Sequence, residues 1–322
     1  MGAVLVVCFH GKEQLNGVFG IELGKILFQA GSVGVPIFFA ISGFIIVYTT
    51  KKLSQNTFSS IKTFFLKRVF RILPMYWLFT ILWMIVFLSI PNYLKGNNGI
   101  RLLKSLFFIP DSSRPVLFLG WTLNYEIFFY ILFAISLFFN KLRYYALGFF
   151  FIIILFLRQF HFEYDYLKMV TNPVMNYFAF GVFLALVIDK IKLSKLQLQF
   201  FTSISIILFL GYYFQILHPP NTYIKLLIEF SFISVFILWD FQPKTTELPP
   251  KLIFLGDMSF SIYLFHPFIL LGFRQIFPSL LQFPDYVRIL IFIIEILLIL
   301  SISYLIYFYI ERKIIEKLNS YF

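Results

Sequence analysis

The 322 residues are 60 % hydrophobic and 13 % charged, with a mean hydropathy of +0.86, whereas soluble domains carry charge on about a quarter of their residues. One core cannot hide that much apolar surface, so a soluble domain is excluded and lipid is the natural solvent. The net charge of +12 would suggest nucleic acid in a soluble chain, but Lys and Arg collect in the cytoplasmic loops of membrane proteins, and no nucleic-acid partner is expected.

A backbone crossing lipid must satisfy its own hydrogen bonds, which leaves helices or a closed barrel. Barrel strands alternate apolar and polar residues. Here apolar residues follow one another without alternation, as over residues 144–157 and 289–300, so the expected fold is all-α, a polytopic bundle of transmembrane helices.

The opening segment, Met1 to His10, is apolar but half the length of about 20 residues that a span needs. It reads as the back half of a first span whose beginning lies before Met1. The lone cysteine, Cys8, excludes an intramolecular disulfide and packs as a small hydrophobe. No cleavable signal pattern is present: a basic flank before the apolar stretch and an A-x-A site after it are both missing. Further spans are expected near residues 33–50, 72–90, 121–139, 144–158, 173–188, 199–216, 223–240, 252–273 and 288–310, about ten in all.

With the missing start on the cytoplasmic side, the segments 51–71, 140–143, 189–197, 241–251 and the tail from Glu311 face the cytoplasm. They hold 16 of the 27 Lys and Arg residues, the expected sign of the bias. Lys51, Lys52, Lys62, Lys67, Arg68 and Arg71 dominate it. No soluble domain, linker or internal repeat is evident.

Ionisable groups inside hydrocarbon cost a few kcal/mol and mark function by default. His10 ends the run VLVVCFH and would lie near mid-membrane if ten residues preceded Met1. A neutral histidine there suits a general base; an interfacial histidine at a helix end is the plain alternative. In FLKRVFRILPMYW, Lys67, Arg68 and Arg71 follow helical spacing beside the membrane. Topology alone explains such a cluster, while capture of a phosphate-bearing ligand suits the Arg fork. Glu126, in GWTLNYEIFFYILF, lies about five residues into its span from the outer side, where an ion pair with a nearby cation is the bland reading. His266, in GDMSFSIYLFHPFIL, lies in the outer half of its span, and Pro267 loosens the helix after it. Ser259, Ser261 and Tyr263 precede it and can bond across helices; a packing histidine is the alternative. This set fits group transfer from a phosphate-rich cytoplasmic donor to an acceptor beyond the membrane. It fits a proton-coupled transporter equally.

At these residues the sequence resembles the membrane acyltransferase-3 family, the O-acetyltransferases of bacterial surface polysaccharides. VLVVCFH resembles the end of its first-helix motif, and GVPIFFAISGFII, from Gly34 to Ile46, its glycine- and phenylalanine-rich second segment. FLKRVFRILPMYW resembles the basic segment closing in Pro, WTLNYEIFFY the tryptophan-to-glutamate motif, SFSIYLFH the serine-tyrosine-histidine span, and IERK the closing glutamate-arginine pair. Six motifs occur in register over nearly the whole chain. The family's first-helix Arg would fall just before Met1. Pro36 stands where Asp is common, Thr122 replaces Ser, and Ile127 replaces a frequent second acid.

The resemblance implies one integral-membrane acyltransferase domain over residues 1–322, in the bacterial inner membrane. It implies transfer of an acyl group, acetyl in the simplest case, from cytoplasmic acyl-CoA to a hydroxyl of a surface glycan or lipid-linked saccharide. Lys67, Arg68 and Arg71 would meet the CoA phosphates. His10 would be the base, Glu126 would orient it or bind the acceptor, and His266 and Tyr263 would serve the acceptor or the oxyanion. Ser42, Trp121 and Ser261 join Tyr263 as substrate-binding candidates. The implied partners are acyl-CoA, the saccharide and membrane lipid, with no permanently bound cofactor and no metal. The competing readings are a precursor flippase, which would show broken helices in repeated halves, and a structural subunit, which would not need three intramembrane ionisable groups.

Overall fold

The computed structural model describes residues 2–51, 58–87, 98–241 and 249–320. Met1, Lys52, residues 88–90 of the span expected over 72–90, and the 242–248 part of an expected cytoplasmic loop lie outside these. Among the described residues every regular element is a helix, with one isolated bridge between Asn16 and Glu22.

In chain order the helices are α1 (Gly2–Gly11), α2 (Leu23–Phe28), α3 (Gly34–Thr50), α4 (Phe58–Phe87), α5 (Asn98–Leu106), α6 (Gly120–Leu137), α7 (Arg143–Leu157) and α8 (Asp165–Val170). They continue with α9 (Met175–Val187), α10 (Lys195–Tyr213), α11 (Thr222–Asp240), α12 (Pro250–Asp257), α13 (Ser259–Ile276), α14 (Asp285–Ile306) and α15 (Arg312–Asn319). A π-helical turn, Tyr307–Glu311, joins the last two.

Seven segments among the described residues are long and apolar enough to cross a membrane: Leu23–Thr50, Ile61–Val86, Gly120–Leu137, Asn140–Leu157, Lys195–Tyr213, Thr222–Asp240 and Asp285–Leu318. The chain is a multi-pass membrane protein, and the ten spans expected are not all found among the described residues. α1 and α9, at 10 and 13 residues, are too short, and α13 carries His266, Arg274 and Gln275 within its 18 residues. The span expected over 252–273 is broken at Met258, where α12 ends and α13 begins. The loop expected over 51–71 is also corrected, because the chain is helical from Phe58 onward. Lys and Arg are good helix formers, so positive charge alone does not end a helix.

The chain divides into two compact units, Met1–Tyr48 with Phe180–Ser303, and Thr49–Ala179 with Tyr304–Phe322. In the first, α1 packs on α13 and on the 3₁₀ turn Gln29–Val33. Glycines permit the closest approach: a Cβ on Gly31 would fall 2.5 Å from the Leu5 carbonyl oxygen, and one on Gly34 2.3 Å from that of Gly2. α10 and α11 form an antiparallel pair, each begun by a side-chain cap, Ser194 with Gln197 and then Asn221. Phe209 stacks on Phe232 at 3.8 Å. Trp239 Nε1 donates to Thr202 Oγ1 at 2.8 Å, and Ser205 meets Ser231 at 3.1 Å, polar ties that suit helices whose outer faces are apolar.

In the second unit, α4 packs on α6, and α6 on α7. Phe129, fully buried, lies against Phe133, Phe151 and Phe178, the last at 4.5 Å. Arg143 Nη2 donates to the Thr50 and Lys51 carbonyls, covering the orphan acceptors where α3 ends. Exposed Ile85, Ile152 and Phe156 form the apolar exterior that lipid requires.

Candidate active site

α1 delivers His10 on its last turn, one residue before the helix ends at Gly11. The imidazole lies over that of His266 on α13, with ring centroids 5.4 Å apart and planes inclined by 25°. The rings therefore stack. Phe9 meets His10 edge-on at 5.2 Å. His10 is half-buried and His266 wholly buried.

The local sequence of α13 fixes the buried ring. His266 Nδ1 lies 3.3 Å from the Ile262 carbonyl oxygen one turn back. A carbonyl only accepts, so Nδ1 carries the proton and the neutral ring presents Nε2 as a bare acceptor. Nε2 is buried and has no hydrogen-bond partner among the described residues. Pro267 lies within the helix and offers no N–H to the Tyr263 carbonyl. The Tyr263 ring is 6.1 Å from His266 and 6.3 Å from Phe38 on α3. Ser261 is buried on the same helix, and Ser42 is half-buried on α3. The first unit thus brings together His10, His266 and Tyr263, with Ser42 and Ser261 on two of the helices that supply them.

Five further polar residues, Glu13, Gln14, Arg274, Arg288 and Glu295, gather at this helix end. Arg274, two turns after His266 on α13, donates to the His10 carbonyl at 3.3 Å and pairs with Glu13 at 3.5 Å. Gln14 Nε2 donates to Glu295 Oε2 on α14 in a short bond. Arg288 Nε donates to the Gln14 carbonyl at 2.8 Å, and its Nη2 to the Asn16 carbonyl. The sequence offered a signal for Glu295, a carboxylate in the run ILIFIIEILLIL, by the same reasoning that singled out Glu126. Gln14, Arg274 and Arg288 lie near helix ends, where polar residues are ordinary.

The second unit holds the remaining candidates. Glu126 accepts from Tyr130 Oη at 2.5 Å, one turn along α6. Arg68, half-buried on α4, lies 5.9 Å from the Phe64 ring centre, reaches Thr49 Oγ1 at 3.4 Å and feels the charges of Glu126 and Arg71. Lys67 and Arg71 are exposed. The sequence reading put Glu126 and this cluster on opposite sides of the membrane. In the fold α4 packs on α6, the helix that carries Glu126, and Arg68 sits ten residues inside the 30-residue α4. Trp121 is exposed at the start of α6, edge-on to Tyr125 at 5.9 Å. Among the described residues no three His, Cys, Asp or Glu side chains gather as metal ligands.

Chemically, a stacked pair of imidazoles can exchange protons with a group placed beside it, and the fold around it is that of a multi-pass membrane protein. Residues 1–308 match the model of the acyltransferase-3 family, described as an acyltransferase domain, and the chain belongs to that family. It is 37 % identical over 138 residues to the exopolysaccharide production protein ExoZ of Rhizobium meliloti, covering 40 % of this chain and 39 % of that one. Proteins named "Putative O-acetyltransferase" in Staphylococcus aureus strains COL and MSSA476 are 25 % identical over 338 aligned positions, covering 92 % of this chain and 54 % of theirs. The chain thus spans about half the length of these latter relatives, and less of the first. No solved structure matches it.

Proposed function

We propose that this protein transfers an acyl group, acetyl in the simplest case, from acyl-CoA on the cytoplasmic side of a bacterial inner membrane to a hydroxyl of a surface or exported glycan. The observation that carries the reading is the stacked His10–His266 pair in a chain of the acyltransferase-3 family. The names of its relatives, exopolysaccharide production and O-acetyl transfer, support the glycan acceptor.

In this reading His10 takes the proton of the sugar hydroxyl as its oxygen bonds to the thioester carbonyl carbon. The tetrahedral intermediate then collapses, the carbon–sulfur bond breaks, and the departing CoA sulfur recovers the proton from the imidazolium. His266 lies under His10 as a buried acceptor. With Nδ1 donating to the Ile262 carbonyl, the neutral ring has no N–H to offer an oxyanion through Nε2, so oxyanion support falls to hydroxyls such as Tyr263. Ser42 and Ser261 in the first unit are assigned to the acceptor, and Trp121 and Glu126 in the second keep the acceptor roles that the resemblance implies. Lys67, Arg68 and Arg71 take the CoA phosphates.

The test is to incubate membranes with acetyl-labelled acetyl-CoA and to measure label in polysaccharide. Wild type transfers label, and His10→Ala falls to background while still inserting and accumulating. Undiminished labelling by His10→Ala would remove His10 from the mechanism.

A further inference from the structure

Residues 11–22, which follow His10, close their own turns and an Asn16–Glu22 bridge, but leave side chains and carbonyls to be held from other helices. They form two short 3₁₀ turns, and Gly17 and Phe19 have positive φ, +82° and +55°. Such backbone needs partners from elsewhere, and one face of α14 supplies them. Arg288, Phe292 and Glu295 stand at i, i+4 and i+7, the spacing that lines one helix face. Arg288 holds the Gln14 and Asn16 carbonyls. Phe292 packs with Cys8 and Leu15, stacks on Phe28 at 5.5 Å, and lies 3.0 Å from where a Cβ on Gly11 would stand. Glu295, 1 % exposed, takes the Gln14 side chain. One turn before Arg288, Asp285 accepts from the Phe19 N–H at 2.8 Å.

The Gln14–Glu295 bond is poorly explained as a device for stability. Gln14 Oε1 is left buried without a partner among the described residues, and a buried carboxylate in an apolar helix is costly. Replacing a buried polar pair with apolar residues of like volume is often neutral or stabilising. What an apolar pair would lose is direction. The bond ties a side chain four residues after His10 to one fixed point on a 22-residue helix.

We propose that Glu295, together with Gln14 and Arg288, is a positioning residue that fixes His10 over His266. This rests on the reading of His10 as the base, but its geometric part can be tested without that reading. Three variants serve: Glu295→Gln, which keeps an acceptor for Gln14; Glu295→Leu, which removes it; and Gln14→Leu with Glu295→Leu, which removes both polar groups and is the variant best suited to fold. Two quantities are measured in detergent-solubilised full-length protein. One is kcat and KM for acetyl transfer. The other is the rate at which diethyl pyrocarbonate modifies His10, followed by peptide mass spectrometry against the exposed His161 and His218.

Glu295→Leu and the double variant are expected to lower kcat about tenfold with KM for acetyl-CoA within about twofold, the pattern of a misplaced catalytic group. They also change the His10 modification rate about threefold with His161 and His218 unaffected, while Glu295→Gln stays near wild type in both measurements. An unchanged His10 rate in the folded double variant overturns the proposal whatever the activity. Equal loss in Glu295→Gln and Glu295→Leu also overturns it, since the carboxylate would then act chemically. Should wild type transfer no acetyl group, the modification rates still decide the positioning role, and only the proposed function fails.

Discussion

Gly34→Ala tests whether the seat of α1 governs the activity proposed for His10. The added Cβ would stand 2.3 Å from the Gly2 carbonyl oxygen and 2.8 Å from Val6 Cγ2. Ordinary contact begins near 3.4 Å, so α1 and α3 must separate by about 1 Å at this crossing. α1 carries His10, and a 1 Å misplacement of a reacting group costs about 100-fold in rate. Overpacking of this kind also costs about 1–3 kcal/mol in stability. The assay is label transfer from acetyl-CoA in membranes, divided by the amount of folded protein and accompanied by a thermal melt. Two controls separate misplacement from general weakening. Gly148→Ala meets nothing within 4 Å and leaves both readouts unchanged or slightly improved. Gly181→Ala clashes with the Ala40 carbonyl at 2.0 Å, away from α1, so it lowers the melting temperature with a smaller loss of activity per folded molecule. Wild-type specific activity in Gly34→Ala would refute the argument that the α1–α3 contact sets the position of His10. So would a loss no greater than that in Gly181→Ala.

Two further outcomes are expected in the second unit. Arg68→Ala with Arg71→Ala weakens acetyl-CoA binding about tenfold or more in detergent, as loss of two charge-assisted phosphate contacts requires; unchanged affinity would leave these residues as topology signals. The Asp111 carboxyl is held below the usual carboxylate range by the bond from Lys104 first and that from Ser113 next, each 2.9 Å long. A depressed carboxylate contributes order above its ordinary range and loses that contribution as pH falls through its lowered value. The loop over residues 107–116 should therefore loosen below about pH 4. Hydrogen exchange corrected for intrinsic rate checks this, with Asp111→Asn already loose at pH 7; equal protection in wild type and variant at pH 7 would show that the carboxylate does not hold the loop.

The helices were legible wherever an apolar run is long and closes on a polar break, as with α6, α7, α10 and α11. Where polarity changes without a backbone signal, the reading failed. The basic stretch before Ile72 looked like a loop, yet Lys62, Lys67 and Arg68 alternate with Ile61, Phe64 and Phe65, and the helix simply continues. Its early start also places Arg68 on the helix that packs on α6, a pairing of helices that no local pattern announces because Arg68 and Glu126 lie 58 positions apart in sequence. His10 and His266 were each legible as ionisable groups in apolar runs. Their stacking was not, since they lie 256 positions apart and contact between helices is decided by packing.

The carboxylates show where such reading stops. Glu126 and Glu295 give the same signal, an acid among apolar neighbours, and the energetic reasoning applies to both. In the fold Glu126 accepts from Tyr130 on its own helix, a partner that i,i+4 spacing could have supplied. Glu295 instead takes Gln14, 281 positions away, and through it the turn that follows His10. An intramembrane acid can therefore be found from sequence, but whether it serves its own helix or steadies a distant segment depends on which polar residue the fold brings to it. Gln14 gave no warning of that role, because a glutamine just past a helix end reads as solvated until its partner is known.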